Sequence, residues 1–434
     1  MFRFLCSVVF FCEKHKKRTL ILGSFAKNEG QVVEVTGLEP AASCSQSRHS
    51  SQTELHLDIC EAPKSVTVKS QYTCLCSQII IYIVGNVKKK IKKCGFSRNK
   101  SIFSLHSGRI NKKRSEHMRN TDARKVAIIG CGFVGSASAF ALMESGLFSE
   151  IVLIDANRQR AEGEALDISH GLPFSKPMQI YAGDYDDITD ASIIIITAGA
   201  GQKPGESRLN LVHKNIDIFK AIIPEITKRH FNGILLIVSN PVDILTYATL
   251  KLSGLPSNQV FGSGTVLDSA RLKYILGEHF GVDSRSVHAF ILGEHGDSEI
   301  AAFSSANVSG IPLKDFCQAQ NECDCSDEAL GKIALEVKNS AYEIIDKKSA
   351  TYYGIAMSVR RICEAIVLDQ KSILPVSTIQ KGLYGIDSVA LSMPAIVGEH
   401  GVERQVKISL NDAEMQAIQN SASALKEVIK TLEI

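Results

Sequence analysis

A chain of 434 residues, 44% apolar and 22% charged, with 31 glycines and 11 prolines, has room for two or three ordinary domains. That composition excludes a collagen, a wholly disordered chain and a multi-span membrane protein. The net charge of +3 conceals two unlike pieces: residues 1–117 carry 20 Lys/Arg against 8 Asp/Glu, whereas residues 118–434 carry 29 against 38.

The first piece opens with an apolar run over residues 4–12 and then Lys14-His15-Lys16-Lys17-Arg18. Nine apolar residues are too few to span a bilayer, which takes about 20, and no small-residue cleavage site follows. A second apolar patch at 79–84 is shorter still, and the basic run at 88–93 reads as solvated linker rather than a nucleic-acid or lipid site. No sustained helical or strand period links these pieces. The segment 37–55 resembles the antisense strand of a transfer-RNA gene read as protein, so residues 1–117 are expected to be a spurious or disordered basic extension, with Met118 the true start. Seven of the 12 cysteines fall here. The other five (Cys131, Cys317, Cys323, Cys325 and Cys363) suggest neither a disulfide framework nor a zinc set, and their sparse, odd number suits a reducing cytosol.

From Lys125 the texture changes. Val126-Ala127-Ile128-Ile129 is a strand of the kind buried on both faces. It runs into Gly130-Cys131-Gly132-Phe133-Val134-Gly135, a helical pattern over 136–144 with Gly146 as its cap, and a second strand over 151–154 ending at Asp155. Gly130 permits the tight turn, Gly132 lets backbone approach a pyrophosphate, and Gly135 lets helix and strand pack closely. The helix N-terminus offers free N–H groups to that phosphate. Asp155 lies where a carboxylate accepts ribose hydroxyls and repels a 2′-phosphate, so the predicted cofactor is NAD rather than NADP.

Further strands are predicted over 192–197 and 234–238, separated by a helix over 209–229. Right-handed crossovers then give a doubly wound parallel α/β sheet with its ligand site beyond the strands' carboxyl ends. A glycine- and proline-rich loop, Ala198 to Arg208, leaves the third strand; Ser239-Asn240-Pro241-Val242-Asp243 ends the fourth. Leu267-Asp268-Ser269-Ala270-Arg271 and Gly293-Glu294-His295-Gly296-Asp297-Ser298-Glu299 follow. An amphipathic helix over 331–346, a strand over 402–410 and a closing helix within 411–431 complete the reading. Cys323 and Cys325 are expected on an exposed loop. Taken singly, His295 reads as structural, Arg271 and Asp268 as an i,i+3 ion bridge, and Arg208 as a solvated loop charge.

Together, from about Arg124 to the C-terminus, these blocks resemble the lactate/malate dehydrogenase family, nearest its bacterial L-lactate dehydrogenase members, and they occur in family order. The resemblance implies a Rossmann-type NAD-binding domain over 118–263 and a mixed α+β catalytic domain over 264–434. It implies His295 as acid/base, braced by Asp268, with Arg271 holding the substrate carboxylate, Arg208 polarising the carbonyl as its loop closes, Asn240 donating to substrate and also bordering the cofactor, and Thr351 lining the pocket. Gly130, Gly132, Phe133, Val134, Gly135 and Asp155 form the NAD site; no metal is expected. Gln202 stands where malate-specific members carry arginine. A neutral amide cannot offset a second buried carboxylate, which favours lactate/pyruvate over malate/oxaloacetate. Lys273 and His288 fall where allosteric members bind fructose 1,6-bisphosphate, lysine replacing the family's arginine and losing its bidentate geometry. A cytoplasmic homotetramer, with no nucleic-acid or membrane partner and with Asn240–Pro241 cis, is the expected form. The competing readings are a malate dehydrogenase, a non-catalytic NADH-binding protein, and a catalytic body tethered by its basic N-terminal piece.

Overall fold

The computed structural model describes residues 5–14, 17–26, 34–40, 122–201, 208–320 and 324–432. Expectations placed on residues 79–84 and 88–93, Met118, Gln202, Cys323 and the Arg208 side chain lie outside the described residues. The chain divides into two units, Met1–Asn111 and Lys112–Ile434.

In the first unit, β1 (Leu5–Lys14), β2 (Lys17–Ala26) and β3 (Glu34–Pro40) form an antiparallel sheet in that order, Leu5 opposite Ala26 and Lys14 opposite Lys17. The sequence reading finds no strand period here. The apolar residues of β1 and β2 come in adjacent runs, interrupted by Ser7 in β1 and by Gly23 and Ser24 in β2, which carry no period of two.

In the second unit, β4 (Asp122–Ile129), β5 (Glu150–Ile154), β6 (Gln179–Ala182), β7 (Ala191–Ile196), β8 (Ile234–Ile237) and β9 (Val260–Gly262) run parallel in the order β9-β8-β7-β4-β5-β6. This is the doubly wound dinucleotide-binding order, reversing between β4 and β7. The crossovers carry α1 (Phe133–Ser145), α2 (Arg158–Ser169), α3 (Arg208–Thr227) and α4 (Val242–Ser253). Helix α1 starts at Phe133, earlier than predicted, because the glycine loop turns directly into it; Gly146 caps it in the left-handed region at φ 62°.

The remaining elements are α5 (Val266–Phe280), β10 (Val287–His288), β11 (Ile291–Leu292), β12 (Ile300–Ala301), β13 (Asn307–Val308), β14 (Ile311–Pro312), α6 (Leu313–Gln320), α7 (Asp327–Lys348), α8 (Tyr353–Val367), β15 (Ser372–Lys381), β16 (Asp387–Gly398), β17 (Gly401–Gln405) and α9 (Asp412–Lys430). The second half does not build a wholly separate sheet. Ser377 of β15 pairs antiparallel with Gly262 of β9, and β16 and β17 follow, making one nine-stranded sheet among the described residues.

Both faces of that sheet are covered. Ile128, Leu153 and Ile195 pack with Leu142 of α1, Ala165 of α2 and Ile362 of α8; Ile194 and Ile237 pack with Phe219 of α3, Leu245 of α4 and Leu425 of α9. A separate core around Leu272, Leu276, Val308, Ile333 and Val337 holds α5 against α7 and the small strands. The strand predicted to reach residue 410 ends at Gln405. Val406 N still donates to Pro394 O (2.7 Å), after which Ile408 turns to the Tyr384 hydroxyl, through both N (2.8 Å) and O (2.7 Å), and leaves the sheet. No helix of the described residues is long and apolar enough to cross a membrane.

Candidate active site

The β4–α1 turn has the geometry its glycines require. Gly130 sits at φ +103°, and a Cβ there would lie 2.4 Å from Ala198 N; at Gly135 a Cβ would lie 1.9 Å from Gly130 O. Gly132 differs, since a Cβ there would meet nothing within 4 Å. Open space therefore faces the N-terminus of α1, whose first turn carries no acid and whose cap residue uses no side chain. Such a cradle fits the pyrophosphate of a dinucleotide. Val134 packs against the core on the α1 side of the sheet, and Phe133, 63% exposed, stacks on Tyr352 at 5.4 Å between centroids. Asp155 is anchored at the tip of β5: Oδ2 accepts Cys131 N (2.7 Å) and Oδ1 accepts Asn157 N (2.8 Å). Each oxygen keeps a lone pair for a ribose hydroxyl, so the strand-end cap and the ribose acceptor are compatible roles.

His295 lies on the loop between β11 and β12, and three ties fix that loop. Gly293 exchanges backbone hydrogen bonds with Ser392 (3.0 and 2.9 Å), Glu294 N donates to Ser421 Oγ (2.9 Å), and His295 N donates to Asp243 Oδ2 (2.7 Å). The imidazole Nδ1 meets Asp268 Oδ2 at 2.5 Å, while Arg271 Nη1 donates to Asp268 Oδ1 at 2.8 Å. Asp268 and Arg271 lie one turn apart on α5, which is held to β11 by Thr265 Oγ1 donating to Ile291 O (2.5 Å) and Ile291 N donating to Ser269 Oγ (2.8 Å). The intrahelical bridge and the histidine brace are thus two sides of one carboxylate.

The electrostatics follow from burial and pairing. Burial would raise the Asp268 carboxyl, but the charges and hydrogen bonds of His295 and Arg271 outweigh it and hold it below the usual carboxylate range. Burial disfavours the His295 imidazolium; Asp268, by charge and hydrogen bond, with Asp243 and Glu299 beyond, overcomes this and raises it to about 9. The ring is therefore poised to hold a proton at neutral pH and to give it to an acceptor on its other side. Asp243 is pushed up to about 6 because burial outweighs its bonds from Ser377 and His295.

The residues expected to face substrate are spread over several elements. Asn240 follows β8 and is exposed, with the Asn240–Pro241 peptide cis. Thr351 lies half-buried between α7 and α8. Arg208 opens α3. Asn215, absent from the sequence reading, is buried on α3; it accepts Ala200 N (2.7 Å) and donates to Asn240 O (2.8 Å), joining the loops after β7 and β8. Asp243, Asn215 and Glu299 were missed as site residues. The available signal was a polar residue inside an apolar helical stripe for Asn215, and membership of the quoted motifs for the other two.

Lys273 and His288 are on α5 and β10, His288 exposed. Lys273 Nζ lies 6.0 Å from the Phe290 ring centre, and burial, then the charge of Arg361, lower its pKa. Cys325 precedes α7, partly buried, with its Sγ 2.6 Å from that of Cys317. Cys317 is disulfide-bonded, and Cys325, like Cys131 and Cys363, is a free thiol.

Comparison with known proteins places this geometry. The NAD-binding domain model of lactate/malate dehydrogenases matches residues 124–262, and their alpha/beta C-terminal domain model matches 265–433. An L-lactate dehydrogenase of Acetivibrio thermocellus is 54% identical over 315 residues, 73% of this chain and 99% of that protein. One of Thermoanaerobacterium saccharolyticum is 53% identical over 310 residues, 71% of this chain and 99% of that protein. Among solved structures, a lactate dehydrogenase from a Medee basin deep-sea metagenome library superposes with a TM-score of 0.69 at 46% identity, covering 72% of this chain and 99% of that one. The minor L-lactate dehydrogenase of Enterococcus mundtii, in ligand-bound form, gives 0.70 at 43% identity, covering 73% and 99%. With the dinucleotide half and the half bearing His295 both matched, in order and nearly end to end, the chain belongs to the lactate/malate dehydrogenase family.

Proposed function

We propose that the chain is an NAD-dependent L-lactate dehydrogenase that interconverts (S)-lactate and pyruvate. The observation that carries this reading is the His295 Nδ1 to Asp268 Oδ2 contact of 2.5 Å, with Arg271 on the second oxygen of the same carboxylate. An NADH-binding protein without catalysis has no need of an imidazole braced in this way. The nicotinamide of bound NAD supplies a two-electron hydride acceptor and donor. The Gly130–Gly135 turn and Asp155 hold the dinucleotide. His295 takes the hydroxyl proton of lactate through its outer ring nitrogen, or returns it to the ketone oxygen of pyruvate. Asp268 fixes the tautomer and stabilises the charged ring. Arg271, oriented by its bond to Asp268, offers its remaining N–H groups to the substrate carboxylate. Arg208 stabilises charge developing on the carbonyl oxygen; Asn240 and Thr351 complete the pocket.

Gln202 supports pyruvate over oxaloacetate, since an amide leaves a second carboxylate unpaired at a cost on the order of a few kcal/mol. The test is a pair of NADH-oxidation assays, one with pyruvate and one with oxaloacetate. Preference for pyruvate supports the reading, and preference for oxaloacetate makes the chain a malate dehydrogenase instead.

The catalytic body is assigned to residues 118–434, divided near 263, and the state to a cytoplasmic homotetramer. Sedimentation of the purified protein tests the assembly. Fructose 1,6-bisphosphate is proposed as at most a weak effector. The partly buried Lys273, with its proton affinity lowered beside Arg361, is a poorer phosphate ligand than an exposed arginine. Titration of activity with the bisphosphate checks this.

A further inference from the structure

The cluster around His295 contains one more acid than the reaction uses. Glu299 stands just before β12, and one ligand atom from each of Asp268, His295 and Glu299 lies within 4.8 Å of the other two. Asp268 has Arg271 at 2.8 Å, but Glu299 Oε1 is buried with no hydrogen-bond partner among the described residues. A carboxylate there would face a second carboxylate with no donor on that oxygen, an arrangement in which one of the two keeps its proton. The charged groups facing Glu299 are Asp268 and Arg271 from α5, His295 from its own loop and Lys338 from α7. Burial, then the charge of Asp268, push the Glu299 carboxyl up to about 8, against the opposing pull of His295, Arg271 and Lys338. Glu299 also lines a partly open cavity of about 240 Å³ with Ile291, Ala301, Ala334, Leu335 and Lys338. Among the described residues, none assigned to substrate lines that cavity, which gives the carboxyl a route to solvent apart from them.

We propose that Glu299 is a third proton-holding group of the acid/base cluster, a positioning residue that acts through His295. It stays neutral at neutral pH, leaving Asp268 as the one negative charge in contact with the ring, with Asp243 on the backbone of its loop. On losing its proton it tightens the hold of His295 on its own. The inference rests on His295 being the acid/base of lactate/pyruvate interconversion.

The sign of the effect is fixed by the reaction. Reduction of pyruvate uses the imidazolium and falls as pH rises through its loss. Ionisation of Glu299 adds a negative charge that opposes this loss, so the alkaline limb of the natural enzyme is displaced upward and belongs to the pair rather than to His295 alone. Glu299→Gln keeps the shape of the neutral acid and abolishes its ionisation. The expected result is an alkaline midpoint of kcat/KM for pyruvate reduction lower by about one pH unit, on the scale of a charge a few ångströms away. The acid midpoint of lactate oxidation moves down by a similar amount. The ¹⁵N titration of the His295 ring in substrate-free protein shows the same downward shift, which loss of packing alone would not produce. Glu299→Asp, still ionisable, recovers part of it. A midpoint unchanged or raised in Glu299→Gln overturns the inference. Should that variant not fold, the ¹³C shift of the Glu299 carboxyl in the natural protein decides: titration near the ordinary glutamate value overturns it, and titration well above supports it. A natural chain that turns over no pyruvate would instead overturn the reading on which the inference rests.

Discussion

His295 and Asp268 form a pair whose behaviour with pH is fixed in direction by their surroundings. Because the histidine is raised to about 9, pyruvate reduction should hold its kcat/KM through neutral pH and fall above that value, while lactate oxidation, which needs the neutral ring, should climb over the same range. Initial rates in both directions across pH check this; mirror-image profiles centred near an unperturbed histidine would show that Asp268 does not brace the ring. Asp268→Asn removes the charge and leaves Arg271 without its partner. The expected result is a fall in kcat of about 10²–10⁴-fold and a weaker KM for pyruvate, read from steady-state kinetics. The identities of these residues are plain in the sequence because each sits in a short motif. Their contacts are not: His295 N reaches Asp243 across 52 positions, and Glu299 approaches Asp268 only because β12 folds back on β11, which is tied to α5.

At the level of elements, the glycine turn is a steric requirement. A Cβ at Gly135 would lie 1.9 Å from Gly130 O, a backbone atom that cannot move without displacing β4 or α1. Gly135→Ala should therefore cost about 1–3 kcal/mol of stability and weaken NADH binding at least tenfold, measured by thermal unfolding and by NADH fluorescence titration. Asn215→Leu cuts the bonds that join the loops after β7 and β8; it should raise KM for pyruvate more than it disturbs folding, which the same pair of measurements separates. Strands β4, β5, β7 and β8 were readable because both faces are covered and their apolar runs are unbroken. The two-residue strands β10 to β14 were not, since no period fits in two residues. Strand β17 was read too long because its end depends on a tyrosine hydroxyl 24 positions from Ile408.

At the level of the whole molecule, composition separates a basic first piece over 1–117 from an acidic remainder, whereas the two compact units are Met1–Asn111 and Lys112–Ile434. The sequence did not reveal that β15 to β17 would continue the parallel sheet, because a single pairing, Ser377 with Gly262, makes the join. That continuity places the His295 loop against β16 and the cofactor turn on one scaffold. The proposed catalytic body predicts that a chain starting at Met118 keeps kcat/KM for pyruvate within about twofold of the full chain. A larger loss would give the first 117 residues a part in catalysis. Gln202→Arg should shift preference from pyruvate toward oxaloacetate by about 10²-fold or more, the scale of pairing one buried carboxylate.

The most direct measurement compares the natural chain with His295→Asn in pyruvate-dependent oxidation of NADH, with NADH binding followed separately by fluorescence. Proton transfer from His295 predicts a turnover lower by about 10²–10⁴-fold with coenzyme affinity little changed. Turnover of pyruvate that survives the substitution would contradict it.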